Sequence, residues 1–281
     1  MTFRHLYGVL FSAVCSLTCA SLPVHAGELR SCYETNGIPL PDKASTAARA
    51  LYIFIDGTMP LDNGIKNKVR RLISHWGRPG DMVKLARFSA GIRGKYPELL
   101  FAESVDTVPD ETFLYNLRRI DKQTLFDCFE SQKTRFVQML NDQLNLALNE
   151  VDSETPRTEL LFALRELSQQ LILTADAPVR NVLVVSDGME NSAALSFYQK
   201  KRIGNIDPKR TMAKVRKLGL VANWKNANIY WYGIGLMPKD TPYVKAATLE
   251  TLRNFWERYF VEGNGLIRGL GSPDLFVTTI D

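Results

Sequence analysis

The sequence has little of what hydrolases, redox enzymes and nucleotide-binding enzymes need. Its 281 residues hold three histidines, and only His75 lies beyond the first 26 residues. No Ser-His-Asp triad can be assembled around it, and no glycine-rich phosphate loop follows a predicted strand. The four cysteines include no C-x-x-C pair of the redox type. We therefore expect a protein that is not an enzyme.

Long hydrophobic runs are absent beyond the N-terminus. A basic start, an apolar stretch with small residues and the cleavage signal Val24-His25-Ala26 are typical of a signal peptide. We assign residues 1–26 to that signal, 27–48 to an N-terminal extension and 49–281 to a folded domain. A membrane anchor and a lipoprotein are the alternatives. The protein is thus expected to be periplasmic or secreted, with no transmembrane segment after cleavage.

Charge bears on the partner and cysteine content on the fold. The net charge of +5 falls to +4 without residues 1–26, which is too mild an excess to indicate nucleic acid as a partner. Cys32 and Cys128 remain, and in an oxidising compartment such a pair is expected to form a disulfide. The bridge would close a loop of about 100 residues and stabilise the fold by roughly 4–5 kcal/mol. Two separate buried thiols are the alternative.

Two apolar runs that end in Asp-Gly turns define the predicted sheet. Leu51-Tyr52-Ile53-Phe54-Ile55 leads into Asp56-Gly57-Thr58, and Val182-Leu183-Val184-Val185 leads into Ser186-Asp187-Gly188. Continuous apolarity indicates strands buried on both faces, as in a parallel sheet between helices. If the strands are neighbours, Asp56 and Asp187 face one crevice at the carboxyl edge of the sheet, where ligands bind. Two carboxylates there favour a divalent cation.

The rest of the chain alternates between predicted strands and predicted helices. Apolar patterns predict strands at 50–56, 82–88, 99–105, 182–187, 228–234 and 275–280, and helices at 62–76, 110–120, 124–150, 158–173 and 246–261. The short link after residue 88 favours an antiparallel pair. We predict an α/β fold: a doubly wound, mostly parallel central sheet with helices on both faces and one antiparallel edge strand.

Residues 49–281 resemble the von Willebrand factor type A domain family. That family carries a metal-ion-dependent adhesion site made of Asp-x-Ser-x-Ser after the first strand, a Thr that opens a later helix, and an Asp within a Ser-Asp-Gly or Thr-Asp-Gly turn. Here the three loops read Asp56-Gly57-Thr58-Met59-Pro60, Thr158-Glu159-Leu160 and Ser186-Asp187-Gly188, in the same order.

The resemblance implies a cation site and a role. Its ligands would be Asp56, Thr58, Thr158 and Asp187, and the cation Mg²⁺, which takes oxygen ligands, or else Mn²⁺ or Ca²⁺. Met59, Glu190 and Asn191 would form the partner-binding rim. In the family, an acidic residue of a partner protein completes the metal shell, so we expect a protein-binding module in recognition or assembly of an envelope complex.

One position departs from the family pattern. Pro60 stands where the family has its second serine and brings no hydroxyl, so Asp62 or water would have to fill that place. A metal-free scaffold of the same fold is therefore an alternative, in which the Asp-Gly turns only end strands and Thr158 only caps a helix. Such a scaffold could use its basic surface, at Lys200, Lys201, Arg202, Lys209, Arg210, Lys214, Arg216 and Lys217.

A haloacid dehalogenase-like phosphatase is the remaining alternative. Phe54-Ile55-Asp56-Gly57-Thr58 resembles the Asp-x-Asp-Gly-Thr motif of those enzymes. Their nucleophile is the first Asp, because a carboxylate must attack phosphorus. Phe54 occupies that position and cannot attack.

Overall fold

A mixed β-sheet forms the centre of the molecule. The structure is a computed structural model that describes residues 29–41, 47–89, 97–151, 158–199, 202–204, 206–236, 245–271 and 275–280. In this part of the chain, the strands are β1 (Arg49–Asp56), β2 (Asp81–Phe88), β3 (Glu98–Ser104), β4 (Val179–Val185), β5 (Tyr198–Gln199), β6 (Arg202–Ile203), β7 (Asn228–Tyr232) and β8 (Leu266–Leu270). Strands β5 and β6 pair only with each other.

The sheet is doubly wound. Its six strands lie in the order β3-β2-β1-β4-β7-β8, and all neighbours are parallel except β2 and β3, which are antiparallel. The chain runs outward from β1 to β3 and then returns to the other side of β1 with β4. The strand order therefore reverses between β1 and β4, where such sheets bind ligands. The predicted fold class, including the antiparallel edge strand, is confirmed.

Helices cover both faces of the sheet. They are α1 (Cys32–Thr35), α2 (Asn63–Leu72), α3 (Glu111–Asn116), α4 (Arg119–Asn149), α5 (Leu160–Leu167), α6 (Pro208–Lys217) and α7 (Ala246–Glu262). The side chains of β1 alternate between the two layers. Leu51 and Ile53 pack with α2 and α4, whereas Tyr52 and Phe54 pack with α5, α6 and α7. This arrangement explains why the β1 run is apolar at every position.

The predicted disulfide joins the N-terminal segment to the long helix α4. Cys32 and Cys128 are bonded, with their Cα atoms 5.7 Å apart. The N-terminal segment contains the short helix α1. Its N-cap Ser31 accepts from the amide of Tyr33, and the carboxylate of Asp106 accepts from the amide of Cys32 at 2.6 Å.

Several predicted elements differ from the structure in their bounds. The helix predicted at 158–173 is α5 followed by a π-helical turn, Ser168–Ile172. The last strand is β8 and not 275–280. Residues 275–280 have no regular structure and end beside α2, where the Ile280 amide donates to the Leu72 carbonyl at 2.9 Å. The Trp76 indole, just after that helix, donates to the Ile280 carbonyl at 2.8 Å. Strand β8 was missed because it lies at an edge, where alternate residues are exposed and no continuous apolar run is needed.

Two expectations fall outside the described residues: the signal peptide at 1–26 and the lysines at positions 200 and 201. Within the described residues, we find no helix with both the length and the apolarity that a membrane crossing requires.

Candidate metal-binding site

The carboxyl ends of β1 and β4 bring the two Asp-Gly turns together. Asp56 is the last residue of β1, and β4 ends at Val185, directly before Ser186 and Asp187. The two strands pair in parallel, with Ile55 opposite Val185. Both turns therefore emerge side by side at the switch point, as the sequence predicts.

Two tryptophans hold the second turn in place. The Trp231 indole donates to the Ser186 carbonyl at 2.8 Å, and the Trp256 indole donates to the Gly188 carbonyl at 2.9 Å. Gly188 has φ +75°, and a Cβ there would lie 2.8 Å from the Trp256 indole nitrogen. Any larger residue would be strained and would push the indole away, so the turn requires glycine.

The Asp56 carboxylate is buried, with 1% exposure, and both of its oxygens accept hydrogen bonds. Oδ1 accepts from the Thr58 amide at 3.0 Å and the Thr58 hydroxyl at 2.7 Å. Oδ2 accepts from the Ser186 hydroxyl at 2.7 Å. The Ser186 hydroxyl in turn accepts from the Gly188 amide at 3.1 Å. The first and third loops are thus joined by side-chain hydrogen bonds across the switch point.

Thr158 joins this group from a distant part of the chain. Its hydroxyl oxygen lies 2.7 Å from the Thr58 hydroxyl oxygen, a contact between residues 100 positions apart. The Thr158 carbonyl accepts from the Asn191 amide at 2.9 Å, which ties this loop to the one after β4. The loops at 56, 158 and 187 therefore share one cleft.

The electrostatics of the cleft disfavour two free carboxylates. Burial raises the pKa of Asp56, and the hydrogen bonds from Thr58 and Ser186 oppose that change. Burial and the Asp56 charge raise the pKa of Asp187 to about 8. The pKa of the Tyr198 phenol is also raised, first by burial and then by the charges of Asp187 and Asp56. A cation between these groups would favour their ionised forms.

The donor set fits a hard divalent cation. It comprises two carboxylates, Asp56 and Asp187, and three hydroxyls, Thr58, Thr158 and Ser186, and such oxygen ligands suit Mg²⁺. In the described part of the chain, no group of three or more His, Cys, Asp or Glu side chains could hold a metal ion. Any cation held here would therefore need the hydroxyls as ligands.

The residue considered for the place of the missing serine, Asp62, has a structural partner of its own. Asp62 caps α2, where its side chain accepts from the Ile65 amide at 2.9 Å. Ser186 contributes a hydroxyl that the motif comparison missed. It stands beside Asp187 in the sequence, but its contact with Asp56 depends on the pairing of β1 with β4. Tyr198 was also missed, because only the course of the loop after β4 brings it near the carboxylates.

Two of the three residues expected at the partner-binding rim, Met59 and Glu190, are buried. Met59 is 8% exposed and packs in the core, and Glu190 is 1% exposed. The Glu190 carboxylate accepts from the Leu161 amide at 2.9 Å. Burial raises the pKa of Glu190 to about 7, against the opposing effect of that hydrogen bond. Asn191 is half-buried and accepts from the Ser196 hydroxyl at 3.1 Å.

The sheet order and the cleft at its switch point define the class: a doubly wound α/β protein whose fold fits that of von Willebrand factor type A domains. No protein-family model matches the chain, and no curated protein matches it. One similar solved structure is an aerotolerance-related membrane protein from Bacteroides fragilis NCTC 9343, in a form with multiple mutations to serines. It is 11% identical, with a TM-score of 0.33, over 79% of this chain and 92% of that chain. So remote a likeness says nothing about function.

Proposed function

We propose that the protein is an exported module that binds a partner protein through a divalent cation held at the switch point of its sheet. Mg²⁺ is the proposed cation, with Mn²⁺ or Ca²⁺ as substitutes, and the proposed role is recognition or assembly within an envelope complex. The disulfide between Cys32 and Cys128 supports export, because such bonds persist in oxidising compartments.

The observation that carries the proposal is the 2.7 Å contact between the Thr58 and Thr158 hydroxyls beside the Asp56 carboxylate. The polar side chains that the three loops bring together all offer oxygen atoms, and those of Asp56, Thr158 and Ser186 are buried. In this proposal Asp56, Thr58, Thr158, Ser186 and Asp187 hold the cation, directly or through water. The cation supplies positive charge, and an acidic side chain of the partner completes its shell.

Cation binding should stabilise the folded protein by mass action. At a cation concentration of 100 Kd the gain is about 2.7 kcal/mol, which raises the Tm of a domain of this size by roughly 5–10 °C. We expect this rise when EDTA-treated protein is melted with Mg²⁺ or Mn²⁺, and we expect Asp56→Asn to abolish it.

Asp110→Asn is the matched control, because Asp110 caps α3 and asparagine caps helices equally well. This variant loses the same charge and should retain the full rise in Tm. Identical melting curves of the wild type with cation and with EDTA would refute the cation site while leaving the fold unchanged.

A metal-free scaffold is the second candidate, and one observation favours it. Asp56 already accepts three hydrogen bonds within the protein, so the cleft is internally bonded without a cation. In that case the basic face of α6 is the proposed binding surface. Met212 and Val215 are buried beneath it, and its exposed side chains include Lys209, Arg210, Lys214 and Lys217.

Salt dependence distinguishes this second candidate. Binding of an acidic protein partner through α6 should weaken as the salt concentration rises, because exposed charges are screened. Binding that is insensitive to salt, or absent, would eliminate it. A phosphatase is not proposed, since Phe54 stands at the position of the nucleophile and has no carboxylate to attack phosphorus.

A further inference from the structure

Glu190 lies behind the cleft, outside the set of proposed cation ligands. It is 1% exposed, and its carboxylate accepts from the amide of Leu161 at 2.9 Å. Leu161 belongs to the first turn of α5, the helix that directly follows Thr158. The hydrogen bond therefore links the loop after β4 to the helix that carries the second loop of the cleft.

Two backbone hydrogen bonds complete this connection. The Asn191 amide donates to the Thr158 carbonyl at 2.9 Å, and the Phe197 amide donates to the Glu190 carbonyl at 2.8 Å. Thr158 is thus fixed at its own carbonyl and, three residues later, at the Leu161 amide. The partners at these two points, the Asn191 amide and the Glu190 carboxylate, belong to consecutive residues of one loop. The same loop begins at Asp187, so its path sets the distance between the second and third parts of the cleft.

We propose that Glu190 is a positioning residue for the cation site: its carboxylate fixes the first turn of α5 and so holds the Thr158 hydroxyl against that of Thr58. This inference rests on the proposed function, because its effect is measured as cation affinity. Groups that orient the ligands of a metal site, without touching the metal, commonly change affinity by about 10- to 100-fold when they are replaced.

Two substitutions separate positioning from simple charge attraction. Glu190→Gln removes the negative charge but keeps the side-chain length and an oxygen that can accept from the Leu161 amide. Glu190→Asp keeps the charge but is one methylene shorter and loses that reach. Positioning predicts that Gln preserves cation affinity and Asp weakens it. A purely electrostatic role predicts the reverse order.

Glu159 offers a matched control on the same segment. It stands at the N-cap of α5, and its side chain makes no capping hydrogen bond. Shortening it by the same methylene, in Glu159→Asp, should therefore leave the position of Thr158 and the cation affinity unchanged.

The experiment is a calorimetric titration of the protein with Mn²⁺ after removal of metals by EDTA. We expect Glu190→Gln and Glu159→Asp to bind within about threefold of wild type and Glu190→Asp to bind at least about tenfold more weakly. Wild-type affinity in Glu190→Asp, or weaker binding by Gln than by Asp, would overturn the inference alone. No Mn²⁺ binding by the wild type would instead defeat the proposed function, and this inference with it.

Circular dichroism shows whether each variant is folded. If Glu190→Asp does not fold, Glu190→Gln decides the question together with hydrogen exchange at the Leu161 amide. The inference requires that the Gln variant retain both Mn²⁺ affinity and protection of that amide. A folded Gln variant that loses tenfold in affinity while the amide stays protected would contradict it.

Discussion

Buried carboxylates lie at both ends of the central sheet, in different surroundings. At the amino end, Asp81 is 1% exposed and accepts from the Arg49 guanidinium at 2.6 and 3.0 Å. The amides of Gly77 and Arg78 each donate to it at 2.8 Å. At the carboxyl end, Asp56 is equally buried. Within the described residues, its hydrogen bonds come from two hydroxyls and one amide, with no cationic side chain.

The two carboxylates differ in their partners: Asp81 is paired with a guanidinium, whereas Asp56 is held by hydroxyl and amide groups. Arg49 also stacks over the Trp76 ring at 4.3 Å, so the amino end is a closed unit that joins β1, β2 and the end of α2. The carboxyl end places Asp187 beside Asp56 instead, and the Asp56 charge contributes to the raised pKa of Asp187. Carboxyl groups with pKa values raised in this way mark this edge as a candidate functional site.

The largest expected effect is at the amino end. Asp81→Asn should destabilise the protein by about 3 kcal/mol, because it leaves the Arg49 guanidinium partly buried without its counter-ion. Urea unfolding measures this loss. Asp121→Asn is the control, since its ion pair with Arg118 lies on the surface and should be worth little. Equal unfolding midpoints for Asp81→Asn and the wild type would show that the two ends do not differ in this way.

An effect of similar size concerns pH at the carboxyl end. The folded-state pKa of Glu190 is about 7 and its ordinary value is 4.5. Between these two pH values the native protein therefore holds a proton that the unfolded chain has released. Stability from this group is therefore present in full below pH 4.5 and is lost as the pH rises through 7, by about 3 kcal/mol. Urea unfolding in EDTA at pH 4.5 and pH 8 should show a correspondingly smaller loss in Glu190→Gln. The same loss in both proteins would contradict the assignment.

The smallest effect has the opposite sign to the first. In EDTA at pH 9, Asp187→Asn should stabilise the protein by about 1–2 kcal/mol, because it removes the half-buried member of a pair of neighbouring negative charges. With saturating Mg²⁺ the order should reverse, since only the wild type gains from the cation. Thermal melting in both buffers tests this. Destabilisation by Asp187→Asn in EDTA would mean that the negative charges of the cleft are compensated as fully as that of Asp81 at the amino end.

The fold was largely accessible from the sequence because its central strands are buried on both faces. Runs such as Val182–Val185 carry no polar residue, and their Asp-Gly turns mark the carboxyl edge. Strand β8 lacks that signal, since an edge strand is partly exposed. The π-helical turn after α5 could not be predicted either, because hydrogen bonds between residues i and i+5 leave no distinct pattern of apolar residues in the sequence.

Four of the proposed ligands of the candidate site could be predicted from the sequence, but the residues that hold them in place could not. The order of the motifs brings Asp56, Thr58, Thr158 and Asp187 into one proposed cleft, and the structure places them in one. Ser186 and Glu190 owe their positions to strand register and to the course of one loop. Neither property is encoded within a few neighbouring residues, so local patterns could not show that Glu190 points inward.

The disulfide divides the molecule into a covalent ring and a chain outside it. The bond spans 96 positions and encloses β1, β2, β3, α2 and α3, whereas β4, β7 and β8 lie beyond it. The β1–β4 contact therefore joins the portion of the chain that the disulfide closes into a loop to the linear portion that follows it. We call this contact the seam. Under mechanical tension, the linear portion can be drawn out while the loop keeps about 35 nm of contour length hidden. A reductant would release that length, so the seam would then have chain free to extend on both of its sides.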